Sequence, residues 1–206
     1  MTRSPWARVY AQTPNEYIWG TRPSSFAREV SGLVQAGGRV LELGCGEGRD
    51  SVFFATRGLD VTAIDVSAAG LDKAERLAEG AGVRVHWIVG DAAHCGVDGV
   101  FDLVYSCGAI HYVPRRRRAC FLARLKALTS PGGYHAHVVF TDHAIYRERG
   151  ERVDYFSQGE LSRAYSDWLI VRSRRTLIPC SQDGTSHQHG VEQFVAREGR
   201  LHASFG

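Results

Sequence analysis

The 206-residue chain predicts one α/β domain, with a mainly parallel sheet and a C-terminal antiparallel strand pair. Three observations carry that expectation. Short apolar runs alternate with stretches of helical character. The first such run ends in a glycine cluster, Gly44-Cys45-Gly46-Glu47-Gly48. The second ends in an acid, Asp65, about 20 residues beyond the cluster's start.

The elements follow in order. Residues 1–30, rich in Trp, Tyr, Pro and Arg, read as an irregular arm or short helix that caps or lids the domain, and residues 31–200 as its core. Arg39–Leu43 is a buried strand. Asp50–Arg57 has helical character and stops at Gly58. Leu59–Ile64, rich in β-branched residues, is the second strand. Ser67 is the N-cap of a helix over Ala68–Glu79, with Gly80 as its stop. Arg84–Val89 and Phe101–Tyr105 are the third and fourth strands. Pro114 opens an amphipathic helix over Arg115–Leu128. Pro131-Gly132-Gly133 turns into a fifth strand, Tyr134–Phe140. A short helix is expected over Gln158–Tyr165. Asp167–Ile178 and Val191–Arg197 then pair across an Asp183-Gly184 turn.

Composition bounds the function. Hydrophobic residues make up 44% and charged residues 23%, as in soluble globular proteins. No apolar run approaches the roughly 20 residues that span a bilayer, and the N-terminus lacks the apolar core of a secretory signal. A cytoplasmic protein, with no membrane partner, is expected. The five cysteines are scattered without a C-x-x-C pair, which argues against a disulfide framework or zinc finger. His135-x-His137 and His187-x-His189 each face one side of a strand, but further ligands are not evident, so no metal is expected. The net charge of +3 is too small to imply nucleic acid. The Arg115–Arg118 run reads as a solvated helix face.

The glycine cluster lies where doubly wound sheets bind nucleotides, and glycines there let a ligand approach the backbone. A dinucleotide fingerprint would need Gly or Ala at position 49, which is Arg49. The Gly44-x-Gly46-x-Gly48 spacing fits S-adenosylmethionine (SAM) better, because SAM has no pyrophosphate to seat on a helix N-terminus. Asp65 is placed to accept hydrogen bonds from ribose hydroxyls. Asp91, after the third strand, is placed to accept from the adenine amine. Ser106-Cys107-Gly108 ends the fourth strand beneath the expected transfer point.

The chain resembles class I SAM-dependent methyltransferases, and within them the tellurite-resistance (TehB-like) and thiopurine methyltransferase branch. Leu41–Ser51, Gly58–Ser67 and Thr129–Tyr134 carry the resemblance, joined by Phe156–Leu161 and Trp168. It implies a Rossmann-like methyltransferase fold, SAM as cofactor and methyl transfer. Gly44, Cys45, Gly46, Arg49, Asp65, Val66, Asp91, Ala92 and Cys107 are the expected cofactor residues. His111 and Tyr112, just past the fourth strand, are the catalytic candidates. Tyr17, Trp19, His143, Tyr146 and Arg147 are the substrate candidates. The expected acceptor is a small molecule: a thiol, a metalloid or chalcogen oxyanion, or a nucleophile in a specialised metabolite. The expected assembly is a monomer or homodimer, with no nucleic-acid partner. A nucleic-acid methyltransferase and a non-catalytic SAM-binding module are the alternatives.

Overall fold

The computed structural model describes residues 5–94, 96–146, 153–182 and 184–199. One seven-stranded sheet organises them in the order β3-β2-β1-β4-β5-β7-β6. Its strands are β1 (Arg39–Leu43), β2 (Asp60–Asp65), β3 (His86–Val89), β4 (Phe101–Cys107), β5 (Thr129–Phe140), β6 (Leu169–Cys180) and β7 (His187–Arg197). The first five are parallel, while β7 runs antiparallel between β5 and β6. The helices are α1 (Pro5–Gln12), α2 (Ser25–Val30), α3 (Arg49–Thr56), α4 (Ala68–Ala81), α5 (Arg115–Ala127) and α6 (Glu160–Ala164). This is the expected Rossmann-like architecture with its antiparallel C-terminal pair.

Alternation along the strands feeds two cores. Val40, Val61, Ala63 and Leu103 face α2, α3 and α4, burying Phe26, Phe54 and Leu71. Leu41, Leu43, Ile64 and Val104 face the other way, burying Phe121 and Leu125 of α5 with Tyr165 and Trp168. Because α2 contributes Phe26, Ala27 and Val30 to the interior, it is part of the packed body although it lies in the arm stretch.

Several boundaries differ from the sequence reading for physical reasons. Helix α4 runs through Gly80 and stops at Gly82, whose φ of +68° turns its N–H back onto Ala78 and Glu79 carbonyls. Strand β5 starts at Thr129, five residues earlier than expected. Pro131–Gly133 bulge out, so Phe101 pairs with Thr129 but Leu103 with Tyr134. The β6–β7 hairpin extends to Cys180 and His187, beyond the expected ends. Asp183 of its expected turn lies outside the described residues. Arg118 is a correction: it is buried, stacks 3.7 Å from the Phe156 ring and pairs with Glu160 at 2.7 Å.

A directional hydrogen-bond chain threads the second core. Ser106 Oγ donates to His137 Nδ1 (2.9 Å), and His137 Nε2 donates to Tyr165 Oη (3.3 Å). Tyr165 donates to His135 Nδ1 (2.6 Å), and His135 Nε2 donates to Thr129 Oγ1 (2.8 Å). Thr129 Oγ1 donates to the Leu125 carbonyl (2.9 Å), which fixes the polarity of the whole chain. Burial holds both imidazoles neutral, with His137 lowered to about 3 and His135 well below its usual value.

Candidate active site

The site starts where β1 ends. The N–H groups of Gly44 and Cys45 both donate to the Ile64 carbonyl, at 2.7 and 3.1 Å, turning the chain over the tip of β2. Gly46 N–H donates to Asp65 Oδ2 at 2.8 Å, and Ser67 N–H donates to Oδ1 at 2.9 Å. One carboxylate therefore ties the glycine loop to the start of α4, which Ser67 caps through Gly70 N–H. Burial raises the Asp65 pKa, and the N–H donors pull it back. Its two oxygens offer about four lone-pair sites, more than the backbone N–H groups of Gly46, Val66 and Ser67 fill.

Two glycines in the loop are required sterically, though by the protein itself. Gly44 has φ +69°, and a Cβ there would lie 2.3 Å from Ala109 Cβ, in the loop after β4. Gly46 has φ +56°, and a Cβ there would lie 2.8 Å from the Tyr10 hydroxyl. Cys45 is buried in the core, and burial raises its thiol pKa.

The arm forms a roof over this loop. Glu47 is buried, and its carboxylate accepts from the N–H groups of Ile18 and Trp19, both at 3.2 Å, and from Lys73 Nζ at 2.7 Å. Lys73, equally buried on α4, also donates to Thr13 Oγ1 and the Glu16 carbonyl. Tyr17 donates to the Lys73 carbonyl at 2.9 Å, which ties its hydroxyl to α4. Arg49 likewise points at the arm, donating to the Trp19 carbonyl at 2.9 Å. Trp19 donates to Tyr10 Oη at 3.0 Å, and Trp6 donates to Tyr112 Oη at 2.8 Å. Trp6, Tyr10 and Trp19 thus bridge the glycine loop and the exit of β4. The sequence reading missed Glu47, Lys73, Trp6 and Tyr10; an acid inside the loop and a lysine on an apolar helix face were the available signals.

At the exit of β4, burial raises the Cys107 thiol pKa to about 12, so it is protonated at neutral pH. His111 is fully buried, with its ring stacked 4.2 Å from Phe140 at 8°. Its Nδ1 accepts from Phe140 N–H at 3.3 Å, which leaves the proton on Nε2. That Nε2 has no partner among the described residues. Burial, with Arg118 and His189 nearby, lowers its pKa to about 3. His111 is therefore neutral at pH 7, with an N–H to donate. Tyr112 is half-buried beside it.

The other candidates are dispersed. Asp91 is exposed; its Oδ1 accepts from Ala93 N–H and its Oδ2 lies 2.9 Å from His94 Nδ1. Ala92 packs partly against the core. Val66 is 45% exposed, and Val89, register partner of Asp65, is 63% exposed, so an apolar shelf flanks the carboxylate. His143 is exposed, while Tyr146 stacks on His187 at 3.6 Å, away from the glycine loop. Arg147 lies outside the described residues. The chemistry fits an adenosyl group: a carboxylate with spare lone pairs, an apolar shelf, and Asp91 beyond it. Tyr10 stands over Gly46.

The chain is similar to known methyltransferases in sequence and in fold. Residues 40–133 match the family described as "Methyltransferase domain". An uncharacterized methyltransferase of Mycobacterium tuberculosis is 31% identical over 130 residues, 63% of this chain and 64% of that one. The probable SAM-dependent methyltransferase TehB of Haemophilus influenzae is 25% identical over 133 residues, 65% of this chain and 46% of that one. Its kin in three dimensions, the crystal structure of TehB from Haemophilus influenzae, has a TM-score of 0.76 at 20% identity, covering 85% of this chain and 62% of that one. A Burkholderia thailandensis 1,6-didemethyltoxoflavin-N1-methyltransferase, solved with its acceptor and S-adenosylhomocysteine, has a TM-score of 0.66 at 22% identity, covering 93% and 86%. The chain spans about half to two thirds of the length of the curated relatives it matches. Residues 40–133 are thus similar to the methyltransferase-domain family, and the chain shares its fold with TehB.

Proposed function

We propose that this chain transfers a methyl group from SAM to a small, already nucleophilic acceptor: a thiolate, a metalloid or chalcogen oxyanion, or a comparable anion of a specialised metabolite. The observation that carries the reading is Asp65, a carboxylate locked into the glycine loop with lone pairs to spare. When bound, SAM supplies a methyl carbon already activated by its sulfonium, so the protein's work is orientation and exclusion of water. Asp65 holds the ribose hydroxyls, Val66 and Val89 pack the base, and Asp91 accepts from its amine. Trp6, Tyr10 and Trp19 close over them and keep water out. The acceptor lies against the exit of β4, beside Cys107, His111 and Tyr112.

The acceptor class follows from proton bookkeeping at that exit. Cys107 holds its proton and His111 is barely basic, so neither deprotonates an amine or alcohol at neutral pH. An acceptor that arrives as an anion needs no such help. The Burkholderia thailandensis neighbour, with its small acceptor, supports a small-molecule reading. We place the enzyme in the cytoplasm; no helix among the described residues is long and apolar enough to cross a membrane.

An acceptor screen that reads S-adenosylhomocysteine release tests the proposal, with thiols, selenite, tellurite, amines and phenols in separate arms. Turnover confined to amines and phenols would overturn the acceptor class. Asp65→Ala is expected to weaken SAM binding by about 1–3 kcal/mol through lost charge-assisted hydrogen bonds. Calorimetry on the folded variant checks this, and unchanged affinity removes Asp65 from the site. Trp6→Ala is expected to speed both SAM binding and release several-fold, because one roof hydrogen bond is worth about 1 kcal/mol. Stopped-flow fluorescence of the remaining tryptophans reads both rates.

A further inference from the structure

The carboxyl edge of the sheet continues past β5 into the β6–β7 hairpin, and three soft ligands meet there. Cys180 ends β6 and His187 begins β7, and the two are cross-strand partners. His189 follows two residues later, on the same strand face as His187. One ligand atom from each of the three, the thiol sulfur and two imidazole nitrogens, lies within 4.8 Å of the others. The two Nε2 atoms are 3.0 Å apart.

The surroundings orient these donors. His187 Nδ1 lies 2.7 Å from the Thr185 carbonyl and donates to it, so Nε2 carries the lone pair. A backbone carbonyl on the far nitrogen is the arrangement that fixes metal-binding histidines. The His187 ring stacks on Tyr146 at 3.6 Å, and the His189 ring on Phe140 at 4.3 Å, both at 9°. The two imidazoles stand 88° apart, converging through their Nε2 atoms.

We propose that Cys180, His187 and His189 bind a zinc ion with three protein ligands and one open position. A thiolate with two imidazoles selects zinc-type cations over calcium or magnesium, which prefer oxygen. Copper in such a set favours an axial methionine, and no methionine occurs in residues 169–197. Tetrahedral zinc, with Zn–N near 2.0–2.1 Å, sets its nitrogens about 3.4 Å apart, so the pair opens by only a few tenths of an ångström. Cys180 closes the remaining gap at the end of a strand, and loses its proton to solvent as the metal binds. Three strands separate β7 from β2, roughly 19 Å across the sheet at about 4.8 Å per step. The ion is therefore separate from the Asp65 cradle. It joins the acceptor side instead, through the stack His189–Phe140–His111.

Cobalt titration of the full chain, stripped with chelator and kept reduced by a phosphine, tests this. One equivalent of Co²⁺ is expected to give the thiolate-to-cobalt charge-transfer band and tetrahedral d–d bands, and Zn²⁺ is expected to bleach both. Cys180→Ser is expected to remove the charge-transfer band, and His187→Gln to weaken cobalt binding by tenfold or more. His187→Gln also guards against misfolding of the first variant. A missing charge-transfer band in the parent protein, or its persistence in folded Cys180→Ser, would overturn the site. SAM affinity is not part of either outcome, so the result stands apart from that of the acceptor screen.

Discussion

Moving from pH 7 to pH 5 is expected to cost this protein several kcal/mol of stability. His135 and His137 are the main cause. In the unfolded chain each takes up a proton near pH 6.5, whereas in the fold both stay neutral, His137 down to about pH 3. Between those values the unfolded state binds more protons, so stability rises with pH and is lost as pH falls. Each such imidazole contributes a slope of about 1.4 kcal/mol per pH unit, or about 3 for the pair. Their surroundings offer no relief. Lys126 and the second imidazole repel a proton on His135, and each Nδ1 already accepts from a hydroxyl, Tyr165 or Ser106. Protonating either ring would turn two donors toward each other. His111, with Arg118 and His189 nearby, adds to the same slope, while the buried Glu42 and Asp65 carboxyls, raised by burial, carry the opposite sign and offset part of it. Urea titrations at pH 7, 6 and 5 measure it, and a midpoint that stays flat would show that the imidazoles protonate in place.

Lys73→Met is the substitution expected to do most damage. It strands the Glu47 carboxylate, buried and accepting from Ile18 and Trp19, without its cation. Removing one partner of a buried pair costs about 3–5 kcal/mol, because the surviving charge is left uncompensated. At roughly 2–4 °C per kcal/mol for a chain of this size, melting is expected about 10 °C lower. Glu47→Gln/Lys73→Met is expected to regain part of that loss, since no lone charge remains. A shift of only a degree or two in Lys73→Met would mean that the arm does not cover the pair in solution.

The glycine loop and Asp65 were legible from sequence because they are local. A turn that needs positive φ is written in glycines, and an acid closing a strand is visible without knowing what it touches. The stop of α4 was misread by two residues, since Gly80 and Gly82 are equivalent as letters and only the backbone turn at Gly82 decides. Arg118 reads as one more solvated arginine, and its burial needs Phe156 and Glu160, about 40 residues away. The same holds for Tyr17 and Arg49, whose polar atoms are claimed by Lys73 and Trp19. A candidate third ligand for His187-x-His189 shows only through hairpin register, which sets Cys180 opposite His187. Contacts between distant segments are what a single sequence conceals.

The methyltransferase family match begins at Val40, yet much of what encloses the glycine loop comes from earlier residues. A fragment trimmed to the matched boundaries would keep Gly44, Gly46, Gly48 and Asp65. It would also open Glu47 and Lys73 to water and lose Trp6, Tyr10 and Trp19 altogether. Such a truncation would preserve the parts that identify the domain while discarding its shelter. Domain limits drawn by likeness and limits drawn by physics therefore fall in different places along this chain.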